Sequence, residues 1–242
     1  MNDIIFGRRI ISEALKTGKQ IDKLLIKKGK QEGSIIPIIK QARDKGIVIQ
    51  EVEHAKLDAL CENENHQGIV AYCSNFEYSS IDDILNLANT RSEAPFILIC
   101  DRITDPHNLG AIIRSAACVG VHGVIIPKRN SALVNSVVQK TSAGACEHIK
   151  IAKVTNLAST IDLLKQRGLW VAGADMGGQS MYDIDLKGPL AIVIGNEGEG
   201  ISRLIHDKCD FIASIPMTGV IDSLNASVAC GVLLYEAHRQ RS

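Results

Sequence analysis

Three short segments hold most of the side chains whose types and spacing could do chemistry. The first, Asp101-Arg-Ile-Thr-Asp-Pro-His-Asn-Leu-Gly110, follows the apolar run FILIC and leads into a helical pattern carrying Arg114. Asp105 suits the N-cap and Pro106 the first helical position. Leu109, Ile112, Ile113, Ala116 and Ala117 make the buried stripe, whereas His107, Gly110 and Arg114, at i, i+3 and i+7, share a different face. An arginine there can grip a phosphate through its fork, or it can simply lie on an exposed helix face. The second segment, Gly195-Asn-Glu-Gly-Glu-Gly200, follows LAIVI. Its glycines permit a tight turn and close backbone approach to a ligand. Glu197 and Glu199 would repel a phosphate, so a neutral or cationic ligand fits better, and a plain strand-to-helix connection also accounts for the glycines. The third, Ile215-Pro-Met-Thr-Gly-Val-Ile-Asp-Ser-Leu-Asn225, precedes the helical run SVACGVLLYEAHRQ. Ser223 and Asn225 bring a hydroxyl and an amide to the helix start, and Asp222 or Ser223 is the expected N-cap.

The familiar α/β enzyme signatures are missing. The chain has no GxGxxG after a strand, no GxxxxGK[ST], no HExxH and no GxSxG. What positions the three segments is an alternation of apolar strands, 96–100, 123–127, 148–152, 169–173, 190–195 and 211–215, with helices near 107–119, 132–140, 155–167, 200–208 and 223–239. Near-continuous apolar strands between helices predict a parallel sheet covered on both faces, and each segment follows the C-terminal end of a strand, where such sheets bind ligands. Residues 1–73 form a separate pattern: helix 8–16, strand 21–27, helix 34–43, strand 46–52, helix 54–61 and strand 68–73. Between the two, residues 74–94 are polar and acid-rich and read as a linker ending at Pro95, with one short amphipathic turn near Ile81–Leu87.

With 242 residues, 45% of them hydrophobic, the chain can bury a core without disulfides or metals. Seven cysteines form no CxxC pair, which disfavours a disulfide framework and a zinc ribbon. No apolar run approaches the roughly 18 residues of a spanning helix, and no signal peptide opens the chain, so a soluble cytoplasmic protein without membrane contact is expected. Net charge is zero, but residues 1–50 carry 11 Lys/Arg against 5 Asp/Glu, and residues 51–100 carry 2 against 9. Such asymmetry fits either a binding face or a solvated helix surface.

Taken together, Asn108 to Arg114, GNEGEG and IPMTGVIDSLNASVA resemble the three motifs of the SpoU/TrmH-type RNA ribose 2′-O-methyltransferases of the SPOUT superfamily. The likeness is strongest to the bacterial 23S rRNA guanosine 2′-O-methyltransferase subgroup, which HQGIVA (66–71) and the terminal YEAHRQRS also resemble. The resemblance implies an α/β protein whose C-terminal parallel-sheet domain, 95–242, carries a deep trefoil knot. It also implies a small L30e-like RNA-binding domain at 1–73, joined by the linker 74–94. It implies S-adenosylmethionine as methyl donor, no metal, a homodimer and 23S rRNA as partner. In family terms Arg114, Asn108, Glu197, Ser223 and Asn225 are the catalytic set, with Arg114 coming from the partner protomer. Gly195, Ile215, Met217 and Leu224 enclose the cofactor. Arginine stays protonated, so either a substrate phosphate shares in taking the proton or Arg114 stabilises developing alkoxide charge. A tRNA methyltransferase, a non-catalytic RNA-binding homologue and a doubly wound nucleotide- or CoA-binding enzyme are the competing readings. A decayed homologue would be expected to lose Arg114 or the Ser223-Leu224-Asn225 triplet, and the missing phosphate loop disfavours the nucleotide enzyme.

Overall fold

The computed structural model describes residues 3–73, 76–220 and 223–242. The chain divides into two units, Met1–Phe76 and Glu77–Ser242.

In the first unit the elements run β1 (Asp3–Phe6), α1 (Arg8–Thr17), β2 (Ile21–Lys27), α2 (Ile35–Asp44), β3 (Val48–Val52), α3 (His54–Leu60) and β4 (Ile69–Cys73). The four strands form one mixed sheet in the order β1-β4-β2-β3, with only β2 and β3 parallel. Alternation along β2 divides the core. Leu24 and Ile26 pack with Ile11 and Leu15 of α1 and Ile35 and Ile38 of α2, while Leu25 packs on the other face with Val70 and Leu57 of α3. Strand β1 escaped the sequence reading because four residues hold too little pattern. Gly7 opens α1 at φ 88°, a left-handed value that favours glycine.

The second unit continues with α4 (Ile81–Arg91), β5 (Phe96–Cys100), α5 (Pro106–Cys118), β6 (Gly123–Pro127), α6 (Ser136–Thr141), β7 (Lys150–Val154), α7 (Leu157–Gln166), β8 (Trp170–Ser180), β9 (Leu190–Ile194), α8 (Arg203–His206), β10 (Phe211–Ser214) and α9 (Ala226–Arg241). Its six strands are all parallel, in the order β10-β8-β9-β5-β6-β7. β5, β6 and β9 are buried from end to end, which is why they read as unbroken apolar runs. The chain runs outward from β5 to β6 and β7, and β9 returns to the other side of β5, so the carboxyl ends of β5 and β9 flank a crevice where ligands bind.

Three expectations need correction. Residues 77–94 are not a linker but part of the second unit. Ser80 and Asp83 form a capping box, α4 buries Ile84, Leu85 and Ala88, and Ser79 pairs with Ala152 of β7. The polar surface of this helix hid a narrow buried stripe. Strand β8 extends well past residue 173, because its glycines admit close pairing; a Cβ on Gly178 would sit 2.3 Å from the Ile212 carbonyl oxygen. Finally, α9 is capped by Asn225, not Ser223, and Asp222 lies outside the described residues.

All seven cysteines are free thiols; Cys209 is half-buried, Cys118 exposed and the rest buried. Burial pushes the Cys100 and Cys209 thiols up to about 12, so they behave as small hydrophobes. Among the described residues no helix is long and apolar enough to cross a membrane.

Candidate active site

Each of the three segments leaves the C-terminal end of a parallel strand, and all three meet around the Glu197 carboxylate. Asp105 accepts from the His107 N–H (3.0 Å) to cap α5, which sets Asn108 on the first turn. The Asn225 Oδ1 accepts from the Ser227 and Val228 N–H groups (2.9 and 3.3 Å), which leaves its Nδ2 free to point outward. That Nδ2 donates to the Glu197 carboxylate and to Asn108 Oδ1 (3.1 Å), and Asn108 Nδ2 donates to the same Glu197 oxygen, Oε1, at 2.9 Å. Two amides from two helices therefore fix one carboxylate. Glu197 itself remains exposed, so its other oxygen faces outward as an acceptor.

Glu197 rides on a closed turn. Asn196 and Gly200 exchange both backbone hydrogen bonds (3.0 and 2.9 Å), and Gly198 N–H donates to Asn196 Oδ1 at 2.9 Å. A Cβ on Gly195 would lie 2.1 Å from the Gly200 carbonyl carbon, and Gly200 has φ 62°, so glycine is required at both ends. This turn, β8, β10 and the start of α9 enclose a cleft of about 240 Å³. Gly195, Glu197, Ile215, Met217, Ser223 and Leu224, all picked from the sequence, line it. Asn108 and Asn225 stand beside it through their bonds to Glu197.

Arg114 is not brought to this cluster. It is exposed on α5, does not line the cleft and has no hydrogen bond or ion pair among the described residues. Asp175 and Met176, and the small residues Ala174, Ala213, Ala226 and Ala229, also line the cleft but escaped the sequence reading. Only the unexpected length of β8 carries Asp175 there, and alanines give no signal by themselves. The lining fits S-adenosylmethionine: the carboxylates of Asp175 and Glu197 suit a ligand carrying sulfonium and ammonium charge, and the alanines and glycine backbone leave room for a flat base. The volume, about 240 Å³, lies just below the roughly 300–1,000 Å³ usual for ligand sites.

The first unit holds a second cavity, of about 740 Å³, lined by Arg8, Lys27, His54, Asp58, Glu64 and His66 among others. The Arg8 guanidinium is held only by neutral acceptors, the carbonyls of Gln67 (3.2 Å) and Glu32 (3.4 Å) and the Ser34 hydroxyl (3.3 Å). No carboxylate pairs with it among the described residues. His54, Asp58 and His66 cluster within 4.8 Å, as a metal site would. Gly68 N–H, however, donates to His66 Nδ1 (3.0 Å), which assigns the ring proton to Nε2 and to Asp58 (3.0 Å). That proton lies where a cation would bind. Hydrogen bonds from His54 and His66 hold the Asp58 carboxyl below its ordinary range.

The fold and cleft thus define a two-unit α/β protein with an acid-lined ligand site at the strand ends of a parallel sheet. The family model of the SpoU rRNA Methylase family matches residues 95–235, and that for RNA 2′-O ribose methyltransferase substrate binding matches residues 4–79. A TrmH family tRNA/rRNA methyltransferase of Bacillus subtilis strain 168, named YacO, is 43% identical over 100% of this chain and 97% of its own length. A TrmH family tRNA/rRNA methyltransferase of Staphylococcus aureus strain MW2 is 46% identical, covering 98% of this chain and 96% of its own. The crystal structure of the SpoU methyltransferase AviRb from Streptomyces viridochromogenes, in complex with AdoMet, is 27% identical, with a TM-score of 0.62 over 98% of this chain and 89% of that one. The chain belongs to the SpoU/TrmH family of S-adenosylmethionine-dependent RNA methyltransferases.

Proposed function

We propose that this protein methylates the 2′-hydroxyl of a guanosine ribose in 23S rRNA, acting as a homodimer in which Arg114 of one protomer completes the partner's site. The observation that carries this reading is the pair of facts around Glu197. Two amides fix the carboxylate beside the cleft, while the arginine expected to join them stands exposed on α5 and unpaired among the described residues. A second protomer supplies what one chain leaves apart. Of the apolar residues on α9 that could form such an interface, Val228 and Tyr235 are 49% and 56% exposed. Leu233, on the same helix, is buried in its own unit.

S-adenosylmethionine, when bound, supplies a methyl group activated on a sulfonium. The chain's own residues position the rest. Gly195, Ile215, Met217 and Leu224 enclose the cofactor, Asn108, Glu197, Ser223 and Asn225 orient the ribose, and Arg114 stabilises negative charge as the hydroxyl passes its proton to a phosphate oxygen of the RNA. Arg114 remains a cation throughout, because its proton is held far above neutral pH.

The first unit recruits the RNA. Arg8, oriented but without an acidic partner among the described residues, and Lys27 at the rim of the 740 Å³ cavity suit phosphates, and the exposed amides and His54 suit unpaired bases. The deciding experiment incubates the protein with labelled S-adenosylmethionine and either unmethylated large-subunit rRNA or tRNA, then maps the product by mass spectrometry. A 2′-O-methylguanosine in 23S rRNA is expected; label confined to tRNA would replace this substrate.

A further inference from the structure

The closed turn that carries Glu197 also carries Glu199, and the two acids are held from different sides. Glu197 is fixed by Asn108 and Asn225. Glu199 is paired with the guanidinium of Arg102, whose Nη2 also reaches the Gly200 carbonyl at 3.5 Å. The contact is reciprocal, because Asn196 Nδ2 donates to the Arg102 carbonyl at 3.1 Å. Arg102 therefore clasps the turn at both ends of its Asn196–Gly200 closure.

Arg102 is a poor local choice for its position. Its φ is 58°, in the left-handed region that glycine adopts freely and arginine does not. Its Nε is buried without a hydrogen-bond partner, 3.9 Å from the Asp101 carboxylate. A buried donor left unmade is unfavourable. Its ion pair with Glu199 adds little global stability either, since Glu199 is 74% exposed. A residue unfavourable in its own place and weak in the stability it contributes has its advantage in the turn it restrains. Without a cation beside it, a turn of three glycines and two carboxylates would be loose and self-repelling.

We propose that Arg102 is a positioning residue for the methyl-donor cleft: by clasping Glu199 and Gly200 it holds the 196–200 turn in its ligand-ready shape. The proposal rests on the reading of that cleft as the S-adenosylmethionine site. It assigns Glu199 to shaping the cleft wall and leaves Glu197 to the ribose.

The test compares full-length wild type with Arg102→Gly, Glu199→Gln and the double variant. Glycine relieves the left-handed backbone, so Arg102→Gly should unfold at the same temperature as wild type or higher. Its affinity for S-adenosylmethionine by calorimetry should nevertheless fall about tenfold. Without cofactor, hydrogen exchange at the Gly198 and Gly200 amides should quicken. Glu199→Gln should weaken cofactor binding similarly, and the double variant should be no worse than either single change. Wild-type affinity in Arg102→Gly, additive losses, or an affinity loss that merely follows a fall in stability would each overturn the proposal. Ala229→Trp, which fills the cleft, serves as the control. If it too binds cofactor normally, the reading of the cleft fails; if it alone loses binding, only the role of Arg102 fails.

Discussion

The two units solve the same problem, a sheet covered by helices, but line their cavities differently: acids alone in one, charges of both signs in the other. In the second unit the cleft faces Asp175, Glu197 and Glu199, and the first two suit a cationic cofactor. In the first, Arg8 and Lys27 share the cavity lining with Asp58 and Glu64; among the described residues no acid pairs with Arg8, and Asp58 is engaged by two histidines. A methyltransferase acting on RNA must attract a polyanion and also hold a cation, and cations in one cavity with only acids in the other suit those two tasks.

The sharpest way to break the comparison is to move the boundary between the units. A chain starting at Glu77 should fold and bind S-adenosylmethionine, whereas one starting at residue 94 loses α4 with Ile84 and Leu85. At roughly 2–5 kcal/mol for each large buried side chain, that loss approaches the whole stability of a domain. Circular dichroism melts of the two truncations decide it; equal stability would return residues 77–94 to the role of a linker.

Next in size is Arg114→Ala, which should lower methylation on the order of 10²–10³-fold while cofactor affinity and melting temperature stay near wild type. Lysine there should recover little, since it lacks the planar fork. Mixed dimers of Arg114→Ala with Asn225→Ala protomers sharpen the point. If Arg114 works in the partner's site, both defects fall in one site and the other stays active. A dead, well-folded heterodimer would place Arg114 in its own protomer's site.

A smaller effect is expected in the first unit. Arg8→Gln should weaken RNA binding, reduce the slope of log affinity against log salt by about 1, and leave S-adenosylmethionine binding unchanged. An unchanged salt slope in filter binding would remove Arg8 from the RNA contact.

The smallest is a pH effect at the far end of α9. Hydrogen bonds from Arg239 and Gln240 lower the Glu236 carboxyl to about 2. A depressed acid contributes stability that is complete above its unfolded value, roughly 4.3, and is lost as pH falls through about 2. Acid melts of wild type should steepen across that window, and Glu236→Gln should flatten this part of the curve.

How much of this was legible in the sequence differs from element to element for a physical reason. Strands β5, β6 and β9 are buried on both faces, so FILIC, GVIIP and LAIVI announce themselves without any partner. The caps at Asp105 and the turn at Gly195–Gly200 are local, and local chemistry reads directly. Where pattern depends on a partner, it fades: β1 is four residues long, α4 shows mostly its polar face, and β8 continues through glycines that only make sense against Ile212.

The residue types of the site, its order along the chain and its place at strand ends were determined by the sequence alone, because strand burial, helix capping and glycine turns are set within a few residues. Tertiary structure alone decided that Asn225 caps α9 while reaching Glu197, that Asp175 enters the cleft, that Arg102 clasps Glu199 across 97 residues, and that Arg114 stands apart. Those contacts join segments far apart in the chain, and their geometry is fixed by which strands lie side by side, which no local preference encodes.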